Sequence, residues 1–417
     1  MNYKYIIFIL FAANFIQAID NPHFYRATNM FPEPRLEHDY LLTFDVSIEG
    51  GSTGKGRSAN NTIVPLFDIY GTHMLQPLAR NNSFLDPTNL FDRMLINLGA
   101  LQDRTNFATF SIDGSFNIIE SNVTLIQNFS HGLFLFFHLP VRQLKIHDIH
   151  FIDLSPDDDV FPNKNTAEWQ DILTNFNPLL THLGINAHAT TSAGPGDLTS
   201  FIGLTHNYQE TRRLDFIDIT GMAGFLAPTG KIKNEHNLFS LPTGYNGHWG
   251  FPLCGALSFG FYEWVTIGGY LNTLFFLNKD RCISLKNHPS EQGIIKSAFG
   301  TVSEHRGPLI HTGLFIKADH VGHGVSVTTA YSFASQQKSH LAAKNNIFDN
   351  TVINSDEGLK GWNMHTFNFS AEYDFAREGS KVGNRIGLFY NLQVAGSRVF
   401  VTNIAGGMWG IDISLTM

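Results

Sequence analysis

The stretch TFNFSAEYDFA, residues 366–376, divides its side chains between two faces. Every second position carries an apolar side chain, namely Phe367, Phe369, Ala371, Tyr373 and Phe375. The positions between them carry Asn368, Ser370, Glu372 and Asp374. Because successive side chains of a strand point to opposite sides, this alternation predicts a β-strand with one apolar and one polar face.

The same period of two recurs along most of the chain. We predict strands at residues 40–48, 107–129, 133–154, 197–208, 214–227, 248–261, 264–277, 307–319, 324–335, 366–376, 382–395 and 399–417. Several of these runs reach roughly 10–14 residues, whereas strands of globular proteins most often have about 5–6. Their apolar faces are crowded with aromatic side chains, as a band that contacts lipid requires. A break in the alternation at residues 119–122 predicts a β-bulge.

Long and short connections alternate between these strands. Tight turns are expected at residues 130–132, 209–213, 263, 320–323 and 377–381. Outer-membrane barrels have short periplasmic turns and long external loops, and they close because lipid cannot satisfy an open sheet edge. We therefore predict an all-β fold, a transmembrane antiparallel up-and-down barrel of about 12 strands (10–14), with short helices in long external loops. A soluble all-β protein is the alternative.

The N-terminus has the features of a signal peptide. Lys4 precedes an apolar core at residues 6–16, and Ala18 supplies a small residue for cleavage. A buried first helix would give a similar pattern. We predict a signal peptide at residues 1–18, a periplasmic segment at residues 19–38 and a single barrel domain at residues 39–417, with export to a bacterial-type outer membrane.

Composition narrows the possible partners. Charged residues make up 15% of the chain, aromatic residues 13%, and the net charge is −8. The aromatic content argues against disorder, and the missing basic excess argues against a nucleic-acid partner. The expected partners are outer-membrane lipid, the barrel-assembly machinery and a small solute. The two cysteines, Cys254 and Cys282, are compatible with one bridge or with two free thiols.

Two long connections carry helix signals, NTAEWQDILTNFNPLLTHLG (165–184) and PTNLFDRMLINLGAL (87–101). Asn165 is a candidate N-cap with Glu168 three residues later. Pro178 is expected to kink or end the first helix, because a proline inside a helix removes a hydrogen bond and clashes with the preceding turn.

The alternation assigns a mixed polar set to the lumen. These candidates are Asp45, Glu49, Asp113, Asp197, Thr199, Thr205, Asp218, His311, Lys317, Asp319, Glu372, Asp374 and Asp412. They could line a polar pore that selects solutes, or they could form ion pairs that fill a narrow interior. The excess of acids would favour cations if the lumen is open. Small inward residues such as Ala256 and Ser258 leave volume inside.

Neither a metal site nor a catalytic site is indicated. His147 and His150 are three residues apart, which places them on opposite faces of a regular strand. The acidic run at residues 157–159 fits a solvated turn better than a Ca²⁺ site. The segment GGSTG (residues 50–54) fits the letters G-x-S-x-G, but it opens no predicted helix, so it lacks the strand-to-helix turn of a nucleophile elbow. We expect no catalytic residue, no metal, no cofactor and no enzymatic activity.

The stretch GPGDLTSFIGLTHNYQETRRLDFIDITGMAGFLAPTGK, residues 194–231, resembles a hairpin of FadL-like outer-membrane channels and of related phenol-degradation (MetA-pathway) transporters. The matching residues are Gly194, Gly196, Asp197, Leu198, Thr199, Pro228, Thr229 and Gly230. The resemblance implies passage of small hydrophobic compounds through a barrel. The chain departs from the fatty-acid channels at its start, because its first strand begins soon after the predicted cleavage site and leaves little room for an N-terminal hatch.

We therefore predict a porin-like channel or transporter for small, hydrophobic solutes. A structural or surface-interaction barrel with a plugged lumen is the alternative, which gains if residues 50–106 fold inward. The last strand, WGIDISLTM (409–417), is expected to close the barrel. Its apolar face resembles the assembly signal of such barrels and comprises Trp409, Ile411, Ile413, Leu415 and Met417.

Overall fold

The computed structural model describes residues 22–30, 40–74, 86, 88–90, 92–94, 96, 109–155, 167–182, 184–209, 214–262, 264–289, 291–296, 298–322, 324–375 and 381–414. The predicted signal peptide, residues 1–18, lies outside these ranges.

Twelve long strands form one closed sheet. They are β1 (Tyr40–Thr53), β2 (Thr109–Asn128), β3 (Leu133–Asp153), β4 (Leu198–Gln209), β5 (Phe216–Ala227), β6 (Gly250–Phe261), β7 (Val265–Phe276), β8 (Leu309–Gly322), β9 (Val325–Gln336), β10 (Trp362–Asp374), β11 (Val382–Ser397) and β12 (Ile404–Ser414). Each strand pairs antiparallel with its neighbours in sequence, and β1 pairs with β12 from Tyr40–Ser414 to Gly50–Ala405. The prediction of an antiparallel up-and-down barrel with twelve strands is confirmed.

The outer face of the barrel is apolar. Ile48, Leu314 and Leu388 are between 63% and 72% exposed, although each lies in the middle part of a strand. The residues between such positions point inward and are largely buried. An exposed apolar band around a closed barrel is the surface expected of a protein that sits in lipid.

The predicted bulge at residues 119–122 is wrong. The pairing of β2 with β1 and β3 is continuous there, and the even-numbered residues of β2 point inward throughout. The break in hydrophobicity arises because the inward face changes from Phe116 and Ile118 to Glu120 and Asn122, all of them buried. The interior is therefore apolar near one end of the barrel and polar in the middle.

The bulge lies in β3 instead. Asp113 pairs with His150 and Ser115 pairs with His147, so β3 has one extra residue, and Asp148 adopts a positive φ of 53°. This extra residue moves the following side chains to the other face. His147 and His150 consequently share the outer face, and the expectation of opposite faces is wrong.

The tight turns lie at one end of the barrel, which we call the turn end. The long connections and the short β11–β12 connection, residues 398–403, lie at the other end, which we call the loop end. Two small sheets occur at the loop end. One contains the strands Lys55–Arg57, Ile63–Pro65 and Val399–Phe400, and the other contains Lys279–Leu285, Ala298–His305 and His340–Ala343. The strand Thr190–Pro195 extends β4 along β3, and His73–Met74 pairs with β2.

The predicted helix at residues 165–184 is broken. It forms α1 (Ala167–Thr174) and α2 (Phe176–His182), which separate at Asn175. The break precedes Pro178 because the proline ring disturbs the turn before it. The structure also describes a short α3 (Asn350–Ile353) and the 3₁₀ turns Asp68–Tyr70, Ser130–Gly132 and Glu357–Leu359. Of the predicted helix at 87–101, residues 90, 92–94 and 96 are helical. Among the described residues, no helix combines the length and the apolar composition needed to span a membrane.

A large apolar cluster fills the barrel at the loop end. Leu66, Phe67 and Ile69, from the first long connection, are buried in it together with Phe239 and Phe400. The α1 and α2 helices contribute Ile172, Phe176, Leu179 and Leu180 to the same cluster. The described part of residues 50–106 therefore folds inward over the loop end of the lumen.

Candidate functional site

Residues 22–30 lie inside the barrel, and we call them the N-terminal plug. They form no strand, and every residue of this segment except the half-buried Phe24 is buried. Of the predicted periplasmic segment, residues 19–38, the described part is thus in the lumen rather than outside the barrel. The little room expected for an N-terminal hatch is enough for these nine residues, which make a turn at residues 24–26 inside the barrel.

One side of the plug binds the wall formed by β1, β2 and β3. The Nη1 atom of Arg26 lies 2.7 Å from Glu49 Oε1 and 2.9 Å from Glu120 Oε1. Glu120 also accepts a hydrogen bond from Arg142 Nε at 2.6 Å. Because buried charges are stable only when paired, these two arginines and two glutamates form a neutral, mutually dependent group.

The other side of the plug binds β9, β10 and β11. Thr28 Oγ1 is 3.0 Å from Ser332 Oγ, and the carbonyl of Thr28 accepts a hydrogen bond from Asn368 Nδ2 at 2.7 Å. Asn29 accepts a hydrogen bond from Asn391 and donates one to Glu49 at 3.2 Å. The plug therefore connects two parts of the barrel wall, which lie on either side of β12.

The ends of the plug show its direction. At the loop end, His23 stacks between Tyr25 and Tyr245, with ring centroids 4.8 Å and 4.7 Å apart. Toward the turn end, Met30 belongs to a buried cluster that includes Phe134 and Cys254. His23 Nε2 accepts a hydrogen bond from the guanidinium of Arg142 at 2.8 Å, so this imidazole is neutral.

Most of the predicted lumen residues point inward, where they form local polar pairs. Arg385 pairs with Asp45 and lies 3.6 Å from Asp412 and 3.8 Å from Glu372. Lys317 Nζ is 2.6 Å from Asp319. The remaining inward residues are Glu49 on Arg26, Asp218 beside Asn207, His311 beside Tyr270, and the buried Thr199 and Thr205.

Three candidates have other surroundings. Asp113 has the same parity in β2 as the exposed Ile119, so it lies outside the lumen, which corrects its assignment. Asp374 is half-buried at the turn end. Asp197 occupies the bend before β4, where its carboxylate accepts hydrogen bonds from the backbone N–H groups of Gly230 and Tyr245 at 2.9 Å and 2.5 Å.

The sequence reasoning missed the basic partners. Arg142 and Arg385 stand at inward positions of β3 and β11 and are fully buried. The alternation of these strands could have identified both. Arg26 precedes the first strand, and no local pattern marks it. The acidic excess predicted for the lumen is therefore partly balanced by buried arginines.

A cavity of about 300 Å³ lies at the loop end and reaches the plug, because Phe24 lines it. We call it the aromatic cavity. Its aromatic lining comprises Phe24, Phe67, Tyr70, Phe239, Trp362 and Phe400. A neighbouring recess of about 340 Å³, which we call the outer recess, shares Tyr70, Gly293, Lys296 and Asp356 with it and is otherwise mostly polar.

Charged side chains occupy one part of the aromatic cavity. Arg281 is 2.7 Å from Glu235 and 2.7 Å from Glu304, and His248 is 3.2 Å from Glu304. Burial raises the pKa of Glu304, but His248 and the nearby arginines outweigh it and lower this pKa to about 2. Burial also raises the pKa of the Tyr70 hydroxyl to about 12.

Arg306 differs from the other cations of the cavity. Its guanidinium lies 5.3 Å from the ring centre of Tyr245 and 5.0 Å from that of Phe276. It donates hydrogen bonds to the Tyr245 carbonyl at 3.2 Å and to Gln336 Oε1 at 3.3 Å. Burial lowers the pKa of Arg306.

Within the described ranges, no group of three or more His, Cys, Asp and Glu side chains is arranged to hold a metal ion. Cys254 and Cys282 are free, the first buried and the second exposed, which resolves the two possibilities that the sequence left open.

The final strand divides its faces as follows. Trp409 is 43% exposed on the outer face, Ile411 and Ile413 are half-buried, and Gly410 and Asp412 are buried on the inner face. Leu415 and Met417 lie outside the described residues. The role of this strand as an assembly signal remains a prediction.

No family model and no curated protein matches the chain. Solved structures similar to it include an outer membrane channel from Pseudomonas putida F1, with 11% identity, a TM-score of 0.47 and coverage of 90% of this chain and 96% of that one. The translocator domain of the autotransporter NalP from Neisseria meningitidis has 7% identity, a TM-score of 0.40 and coverage of 91% and 90%. A Pseudomonas aeruginosa FadL homologue has 8% identity, a TM-score of 0.32 and coverage of 90% of each chain. The neighbours thus include the FadL-like channels that residues 194–231 resemble.

Proposed function

We propose that this protein is an outer-membrane channel for small hydrophobic solutes and that the N-terminal plug closes its lumen. The observation that carries the proposal is the contact between the aromatic cavity and the plug through Phe24. A solute that enters from the loop end would meet an apolar pocket first and the plug next. Movement of the plug would then decide whether the solute passes.

The plug is separable from the barrel wall. All twelve strands are paired without it, so its departure would break no hydrogen bond between barrel strands. Two backbone hydrogen bonds tie it to residues after β11, from Ala27 N to Thr402 O at 2.9 Å and from Phe400 N to Phe24 O at 2.8 Å. The other contacts described above involve side chains, which can re-pair with water once the lumen opens.

A second candidate function is a structural or surface-interaction barrel whose lumen stays closed. Two observations favour it: the plug fills the middle of the lumen, and Leu66, Phe67 and Ile69 fold inward at the loop end. The two candidates differ in one measurable property, which is whether the barrel conducts when the plug is absent.

Location in the outer membrane is part of the proposal. The exposed apolar band supports insertion into lipid, and the predicted signal peptide supports export. Cell fractionation combined with gel electrophoresis of unheated and heated samples tests it. A folded outer-membrane barrel should be extracted only by detergent and should migrate differently after boiling, whereas recovery in a detergent-free soluble fraction would contradict the location.

The channel function is tested by conductance in planar bilayers. The full chain is compared with a variant lacking residues 22–30 and with a control lacking the exposed external residues 345–347. Heat-modifiable migration first verifies that each barrel is folded. We expect stable conductance from the plug deletion and little from the other two proteins. A folded plug deletion that conducts no ions and admits no small solute into liposomes would favour the structural function.

A further inference from the structure

We infer that the aromatic cavity binds a small aromatic carboxylate, with the carboxylate on Arg306 and the ring against the aromatic wall. This inference rests on the proposed channel function and specifies the chemical class of its solute. It draws on three features of the site: its local charge, the pairing of its cations, and the size and lining of the cavity.

The local charge is opposite to that of the whole chain. The protein has a net charge of −8. The cavity is nevertheless lined by five cations and three carboxylates: Lys233, Arg281, Lys296, Arg306 and Lys360, and Glu235, Glu304 and Asp356. A concave site of one sign in low-dielectric surroundings concentrates ligands of the other sign. The cavity therefore favours an anion.

The pairing of these cations singles out Arg306. Arg281 is neutralised by Glu235 and Glu304, Lys233 is 3.8 Å from Glu235, and Lys296 is 2.6 Å from Asp356. Lys360 pairs with Glu357 outside the lining. Among the described residues, no carboxylate oxygen lies within ion-pair distance of Arg306, whose two hydrogen-bond partners are neutral.

The chemistry of a guanidinium then indicates the ligand group. Its donors form a planar fork that matches a carboxylate with two parallel hydrogen bonds. Arg306 uses one nitrogen for Tyr245 and another for Gln336, which leaves further N–H donors on the same group. Glu304 acts on Arg306 only from beyond ion-pair distance, so a carboxylate in the cavity would supply the direct partner that Arg306 lacks among the described residues.

The lining and the volume indicate the rest of the ligand. Phe24, Phe400 and Trp362 line the same cavity, and the Trp362 indole binds the Gln336 oxygen that also accepts from Arg306. Aromatic side chains favour an aromatic partner in offset or edge contacts. Ligand pockets usually measure about 300–1,000 Å³, so a cavity of about 300 Å³ suits a compact molecule. Together these features describe a single ring that bears a carboxylate.

The lining of the outer recess is balanced in charge, with the three cations Lys286, Lys296 and Arg398 and the three carboxylates Glu291, Asp356 and Glu357. Lys286 and Arg398 line it, and Lys286 is largely buried with no ion pair to any described carboxylate. Burial and the neighbouring Lys296 lower the pKa of Lys286, whereas Asp356, Glu291 and Glu357 act in the opposite direction. The preference for an anion therefore rests on the aromatic cavity and not on this recess.

Ligand binding by the purified full chain in uncharged detergent tests the inference. Benzoate is the probe, and benzyl alcohol is the neutral molecule of similar size and shape. Binding is followed by equilibrium dialysis and by quenching of Trp362, with Trp362→Phe as the variant that should lose the optical signal. We expect benzoate to bind at least about tenfold more tightly than benzyl alcohol, the ratio that one charge-assisted hydrogen bond supplies.

Variants at Arg306 locate the carboxylate. Arg306→Gln should weaken benzoate binding by about tenfold or more and leave benzyl alcohol unchanged, whereas Arg306→Lys should retain most of the preference. Lys344→Gln is the matched control, because Lys344 is an exposed lysine outside the cavity whose charge is paired with Asp280. This control should bind benzoate like the unaltered protein.

The outcomes separate this inference from the proposed function. Equal affinity for the two probes, or unchanged benzoate binding by Arg306→Gln, would overturn the carboxylate site and leave the conductance result intact. A plug deletion that does not conduct, together with an Arg306-dependent preference for benzoate, would refute the channel and support the binding site.

Discussion

Replacing Arg26 by methionine should release the N-terminal plug without unfolding the barrel. Arg26 and its partners Glu49 and Glu120 are at most 1% exposed at their side chains. Methionine keeps much of the length of the side chain but removes the charge. The barrel strands keep all their pairings, because the plug belongs to none of them.

The magnitude follows from what the two carboxylates lose. Removing one partner of a buried ion pair typically costs roughly 3–5 kcal/mol. Glu120 keeps Arg142 at 2.6 Å, and Glu49 keeps the amides of Asn29 at 3.2 Å and Asn122 at 3.3 Å. We therefore expect the low end, about 3 kcal/mol, which raises the population of the released plug about a hundredfold.

The two free cysteines provide the assay. Cys254 is buried in the cluster that contains Met30, whereas Cys282 is exposed at the loop end. A small membrane-impermeant thiol reagent should label Cys282 equally in both proteins and Cys254 much faster in Arg26→Met. Conductance in bilayers should rise in parallel.

A control and a rescue complete the design. Lys344→Met removes an exposed pair with Asp280 and should change neither readout. Cys254 should be labelled more slowly in the double variant Arg26→Met with Glu49→Gln than in Arg26→Met alone, because the double variant also removes the uncompensated carboxylate of Glu49. Equal labelling of Cys254 in the unaltered protein and in Arg26→Met, at unchanged conductance, would refute the role of this ion pair in closing the lumen.

Two further predictions concern the barrel seam and acid stability. Deleting residues 409–417 removes six of the ten paired positions between β1 and β12, which run from Tyr40–Ser414 to Gly50–Ala405. The truncated chain should not assemble, and normal surface insertion of this chain would contradict the prediction. Glu304 has a pKa of about 2 in the folded protein, so its stabilising contribution is present above its ordinary pKa and is lost as the pH falls toward 2. We expect the free energy of unfolding to fall by about 3 kcal/mol over this window, which is measured as a lower melting temperature. The melting temperature of the Glu304→Gln variant should change less with pH. The same pH dependence in the variant and in the unaltered protein would exclude Glu304 as the cause.

The strands could be predicted because the alternation of side chains in a strand depends only on neighbouring residues. The alternation at residues 366–376 required only that neighbouring side chains of a strand point to opposite sides, and β10 forms there. Closure also followed from the sequence, since lipid leaves no partner for an open edge. The bulge was misplaced for the same reason: a change in interior polarity at Glu120 resembles a change of face when only hydrophobicity is read.

The site depended on contacts between distant parts of the chain. Arg26 carries no periodic signal, and its position is fixed by Glu49 and Glu120 on two different strands. The aromatic cavity combines the plug with several long connections, so its net positive charge is absent from any single stretch. The sequence by itself determined which residues form the wall and which side of the wall they face, because a period of two is a property of neighbouring residues. Only the tertiary structure decided what occupies the lumen, because burial of a charge depends on partners that the closed barrel brings together.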